Sequence, residues 1–165
     1  MKRILSALLI LILIRPAWSS GQDLSRIRLK DINGKTFDMS RELDHDATVI
    51  IFWATWCKPC KLEFPKVQEL KETYSDRDIR VITISQDSPR SVAKVRAFAR
   101  THPYEFIYLL DPEGEAGKRL LVNQVPFTLL VNEEGKVVYT KAGYREGDEL
   151  ELEEQILKLL PDEEE

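Results

Sequence analysis

Val49-Ile50-Ile51-Phe52-Trp53-Ala54-Thr55-Trp56-Cys57-Lys58-Pro59-Cys60 decides how the chain folds. Val49 to Trp53 is apolar without alternation, the pattern of a strand buried on both faces. From Lys61 to Tyr74 the apolar spacing becomes helical, and Leu62, Val67, Leu70 and Tyr74 are expected toward the core. The Cys-x-x-Cys pair therefore sits where a buried strand passes into a helix N-terminus. Unpaired N–H groups and partial positive charge gather at such an end and favour a thiolate. Both cysteines of the chain lie in this one motif. At this spacing they can close to a disulfide and reopen with little chain movement, so the pair reads as a redox dithiol.

Two plainer readings compete. A structural zinc site takes four ligands, and the further candidates are His45 and His102, far apart in sequence. An inert disulfide would close a very short loop, which gains little from restricting the unfolded chain. No metal or cofactor is called for.

The chain of 165 residues suits one domain. With 43% hydrophobic and 32% charged residues it has material for a core and a soluble surface. Its charge of −4 gives no electrostatic case for nucleic acid. Residues 1–19 read as a secretory leader. Lys2 and Arg3 precede the apolar run Ile4–Ile14, and Ala17-Trp18-Ser19 is a loose cleavage site; an uncleaved anchor is the alternative. Without Lys2, Arg3 and Arg15 the balance is 21 basic to 28 acidic residues. Export would place the cysteines where disulfides persist, and a single pair suits chemistry better than scaffolding.

Ser25 to Asp38 reads as a β-hairpin with its turn at Asp31-Ile32-Asn33-Gly34-Lys35 and covering a sheet edge. His45 is expected simply to be solvated. Ile79–Ile84 is a second buried strand. Ser88 and Pro89 are expected to cap and open a helix with Val92, Val95, Phe98 and Ala99 facing inward. A strand within Tyr104–Leu110 and a short helix at Glu115–Leu121 follow. Thr128–Val131 and Lys136–Thr140 form a second hairpin, and Asp148–Leu160 an amphipathic helix with Leu150, Leu152 and Ile156 apolar. The order predicts an α/β fold with a mixed sheet and helices on both faces.

Trp56-Cys57-Lys58-Pro59-Cys60, Glu63-Phe64-Pro65 and Val125-Pro126-Phe127-Thr128 resemble the thioredoxin superfamily, specifically its exported TlpA/ResA-like thiol–disulfide oxidoreductases. The resemblance runs roughly from Ile27 to Leu160. It implies a thioredoxin-like fold with an N-terminal hairpin and a central insertion between Ser85 and Leu121.

Cys57, at the helix start, is the expected nucleophile, and Lys58 adds positive charge beside it. Cys60, one turn on, is the expected resolving thiol, and Pro59 stiffens the turn between them. Glu63 lies three residues after Cys60, on a neighbouring position of one helix face. A carboxylate with a raised pKa there can take the proton of a buried thiol; the resemblance places an active-site glutamate at the same position. Cytoplasmic-type thioredoxins carry their buried acid on the strand before the motif, where this chain has Ile51. The resemblance also implies that Pro126 is cis beside the dithiol, leaving the Val125 backbone free to pair with substrate. Trp53 is expected in the core and Trp56 partly exposed toward partners.

The expected protein is an exported monomer, periplasmic or on the outer face of the cytoplasmic membrane. It would reduce disulfides of other exported proteins and draw electrons from a membrane-embedded donor. Apocytochrome c, with its Cys-x-x-Cys-His motif, is the substrate candidate implied by resemblance. A copper(I)-delivery module using His102, or a peroxidase on the same fold, are the rivals.

Overall fold

A computed structural model describes residues 23–161. The predicted leader, residues 1–19, lies outside the described residues.

Seven strands form one mixed sheet in the order β2-β1-β5-β4-β3-β6-β7. The hairpin is β1 (Arg28–Asp31) and β2 (Thr36–Asp38), and it forms one edge as expected. Its turn is fixed by Asp31, whose carboxylate accepts from the backbone N–H groups of Asn33 at 2.9 Å and Lys35 at 2.8 Å. Gly34 takes the φ of +87° that this turn requires.

Central strand β3 (Ala47–Trp53) is buried at every position. It runs parallel to β4 (Ile79–Ser85), which runs parallel to β5 (Ile107–Leu110). On its other side it is antiparallel to β6 (Phe127–Asn132), which pairs antiparallel with β7 (Val137–Ala142).

The missing alternation in β3 has a direct cause: both of its faces meet apolar layers. Val49, Ile51 and Trp53 join Phe64, Val67 and Leu70 of α1 (Lys58–Thr73). Val95 of α2 (Val92–Thr101) and Leu152 and Ile156 of α4 (Asp148–Leu157) complete that layer. Ile50 and Phe52 face the opposite layer, with Leu24, Met39 and Leu120, beside Ala116 of α3 (Glu115–Arg119). Each such side chain contributes on the order of 2 kcal/mol of burial.

Four local expectations are corrected. Leu62 is 58% exposed, because the inward stripe of α1 is Cys60, Glu63, Phe64 and Val67 and Leu62 falls outside it. Leu150 is exposed for the same reason, opposite Leu152 and Ile156. Ser88 makes no side-chain cap. Pro89–Ser91 is a 3-10 turn leading into α2, and the Ser88 carbonyl, not its hydroxyl, takes the Ser91 N–H at 2.8 Å. His45 is not simply solvated: its Nδ1 lies 2.8 Å from the Asp78 carboxylate and its ring is largely buried.

Candidate active site

Parallel register puts the loops after β3 and β4 side by side, with Trp53 opposite Ser85. The Gln86 N–H donates to the Trp53 carbonyl at 2.8 Å. One residue on, the buried Asp87 carboxylate clamps the segment that leads to the dithiol. Its Oδ2 accepts from the Thr55 N–H at 2.7 Å and the Ser85 hydroxyl at 2.9 Å, and its Oδ1 from the Thr55 hydroxyl at 2.5 Å. Three donors on one buried carboxylate is a satisfied arrangement, and it holds the loop on which Trp56 and Cys57 follow.

Cys57 is the N-cap of α1, and its sulfur accepts from the Cys60 N–H at 3.2 Å. Sulfur therefore occupies the place usually taken by a serine or aspartate oxygen, against the orphan donors of the first turn. Cys57 and Cys60 are joined by a disulfide with a Cα–Cα distance of 5.4 Å. Both are buried, while Lys58 and Pro59 between them are exposed. Trp56 is 72% exposed and Trp53 fully buried. Trp53 packs on Phe64 at 5.0 Å and on Phe98 at 4.8 Å, below the pair.

Glu63 lies inside, at 4% exposure. Its Oε1 accepts from the Thr128 hydroxyl at 2.6 Å, and its Oε2 is buried without a partner among the described residues. Burial pushes the carboxyl up to about 7, opposed by the Thr128 hydrogen bond and reinforced by the Asp148 charge. A carboxyl poised near neutrality can hold or release a proton under working conditions. It lines a small cavity with Thr128, Tyr139, Lys141, Tyr144 and Asp148.

The Val125–Pro126 bond is cis. Val125, Pro126 and Pro59 line one open groove with Gln124, Tyr144 and Arg145. The Pro126 carbonyl is taken by the Gly143 N–H at 2.8 Å. The Val125 N–H and C=O have no partner among the described residues. Groove and cavity share Lys141, Gly143, Tyr144 and Asp148, so these residues form the wall between them.

The structure thus gathers Cys57, Pro59, Cys60, Val125 and Pro126 around one end of the sheet, with Glu63 on the inner face of the same helix. Asp87 and the wall residues have no motif of their own, and Thr128 closes the Val125–Thr128 motif without any sign there of its partnership with Glu63. Thr128 is 65 residues from Glu63, and Asp87 is 32 from Thr55. Only the parallel β3–β4 register, and the antiparallel β3–β6 pairing that sets Ile51 against Thr128, bring them together. His102 stacks on Phe98 at 4.1 Å. Among the described residues no three His, Cys, Asp or Glu side chains converge to hold a metal. Nor is any described helix long and apolar enough to cross a membrane.

A dithiol capping a helix, with a cis-proline loop on the same groove and a mixed sheet behind it, defines a thioredoxin-like thiol–disulfide oxidoreductase. The chain belongs to the AhpC/TSA family, whose pattern matches residues 20–140. It is 30% identical over 125 residues to the thiol-disulfide oxidoreductase ResA of Bacillus subtilis, covering 76% of this chain and 68% of that one. With ResA of Bacillus thuringiensis it shares 28% over 141 residues, 86% of this chain and 79% of the other. A thioredoxin-like protein from Porphyromonas gingivalis has the same fold in solution. It superposes with a TM-score of 0.73 at 31% identity, over 87% of this chain and 95% of that one.

Proposed function

We propose that the protein is an exported reductant of disulfides in other exported proteins, acting as a monomer through Cys57 and Cys60. The Cys57 thiolate attacks a substrate disulfide, forms a mixed disulfide and releases one substrate thiol. Glu63 then takes the proton of Cys60. The Cys60 thiolate attacks Cys57 Sγ, breaks its bond to the substrate sulfur and expels that sulfur as a thiolate, which takes a proton from water. Two electrons have passed to the substrate, and the protein is left as the Cys57–Cys60 disulfide. A membrane-embedded dithiol donor restores it on the periplasmic side or the outer face of the cytoplasmic membrane. The substrate segment pairs with the free Val125 backbone and packs against Trp56 and Pro126, with Lys58 and Pro59 beside it. An apocytochrome c, with two nearby cysteines to keep reduced, is a fitting substrate.

The observation that carries this reading is Glu63, a buried carboxyl titrating near neutrality on the inner face of the helix that bears both sulfurs. Pairing within one helical turn favours dithiol exchange over a peroxidase, which has no need of an adjacent resolving thiol.

The test is the reduction potential of the pair together with the exchange rate against pH. A potential near −270 mV, roughly thioredoxin's, supports a reductant; one near about −120 mV marks a disulfide donor instead. Glu63→Gln is expected to slow exchange and remove the inflection near neutral pH. An unchanged profile would remove Glu63 from the mechanism.

A further inference from the structure

We propose that Thr128 is a positioning residue for Glu63: its hydroxyl holds one carboxylate oxygen in place and leaves the other to pass the Cys60 proton to water in the adjoining cavity. The inference rests on Glu63 acting as the base for Cys60.

The geometry is specific. The 2.6 Å bond from Thr128 is the one hydrogen bond the Glu63 carboxylate accepts among the described residues. A buried carboxylate oxygen without a partner is costly, and a water molecule is its ordinary remedy. The cavity beside Glu63 has a volume of about 10 Å³, which is room for a single water.

The charged groups around it are engaged elsewhere, and one tyrosine hydroxyl is not. From β7, the Lys141 ammonium is held by Asp148 at 3.2 Å and Glu151 at 2.7 Å. Tyr139, also on β7, has a buried hydroxyl without a partner among the described residues; burial and the Glu151 charge push it up to about 12, so it stays neutral. From the loop before α4, the Tyr144 hydroxyl donates to Glu149 at 2.7 Å. Asp148, on α4, is kept charged by the Arg145 backbone N–H and by Lys141, and acts on Glu63 only at a distance. On its own helix Cys60 lies one helical step before it. Among the described residues only β6 reaches Glu63 with a donor, and that donor is Thr128.

The proton balance is simple. Cys60 gives its proton to the Glu63 carboxylate, and the resulting thiolate attacks Cys57 Sγ. The carboxyl then loses the proton to the cavity water, which exchanges through the wall of Lys141, Gly143, Tyr144 and Asp148 into the substrate groove.

The experiment is a carboxyl-carbon NMR titration of Glu63 in the oxidised protein, where neither cysteine titrates, with Glu63→Gln to assign the signal. Thr128→Val keeps the shape and removes the donor. Its Glu63 midpoint is expected to rise by about one pH unit, the worth of one such hydrogen bond. Thr128→Ser should restore it, and the inflection of the exchange rate should move in parallel. Should Thr128→Val not fold, Thr128→Ala carries the same expectation. A lowered melting temperature with an unmoved midpoint overturns the proposal, since Thr128 then only packs. A moved midpoint with an exchange profile unchanged in Thr128→Val and Glu63→Gln alike leaves Thr128's hold intact and overturns the proton route with the base reading.

Discussion

Glu63 and Asp87 are buried to nearly the same depth, at 4% and 3% exposure, and are bonded in opposite ways. Asp87 accepts from three donors within 2.9 Å. Among the described residues Glu63 accepts from one, and its second oxygen has none. Depth alone therefore does not decide what a buried carboxylate does. One that is fully satisfied is a structural clamp, and here it fixes the approach to Cys57. One left half-satisfied is pushed toward its protonated form and becomes a place where a proton can be stored.

The sharpest way to break this contrast is Asp87→Ala. It strands the Thr55 N–H and the Thr55 and Ser85 hydroxyls, and should cost about 3 kcal/mol or more, a fall in melting temperature on the order of 10 °C. Unfolding of the oxidised protein measures it, and unchanged stability would mean that the clamp holds nothing.

Next in size is the pH dependence of folding. The Glu63 pKa is raised from 4.5 to about 7. Below the lower value it is protonated in both states and costs nothing. Between the two the unfolded chain releases a proton that the folded chain keeps, so stability falls as pH rises. Above about 7 the loss is complete, at roughly 3 kcal/mol. Glu63→Gln should lack this slope and exceed the wild type in denaturant stability at pH 8. A parallel slope in both proteins would place the titration elsewhere.

Smaller effects refine the picture. Thr55→Val removes one of the three donors to Asp87 and should cost about 1.5 kcal/mol in chemical unfolding, while the exchange inflection stays where it is. Leu62→Ser should change stability by less than about 0.5 kcal/mol, because that side chain is outside the core. A loss of several times that size would put Leu62 against a surface that the fold does not reveal.

These residues also mark how far the sequence could be read. The strand–dithiol–helix junction was legible because it is local, and Glu63 because its distance from Cys60 is one helical step. Leu62 and Leu150 depart from expectation for a common reason: an apolar identity does not by itself fix an inward direction. Helix phase is set by the residues that meet the sheet, and in α1 those are Cys60, Glu63, Phe64 and Val67, one of them a carboxylate. His45 looked solvated because its partner, Asp78, is 33 residues away. Thr128 stands in a legible motif, but its partnership with Glu63, like that of Asp87 with Thr55, was out of reach for the same cause, since each is made by strand register.

The two indoles beside the dithiol differ in a way that has a practical use. Trp53 is sealed in an aromatic cluster in the same core layer as the sulfurs, while Trp56 stands in solvent one residue before Cys57. The described part of the chain has no other tryptophan. Disulfide sulfur quenches indole emission at short range, and a buried indole emits at shorter wavelength than a wet one. The protein thus carries two optical gauges of its own oxidation, separable by colour, one reading the interior and the other the face where a partner would arrive.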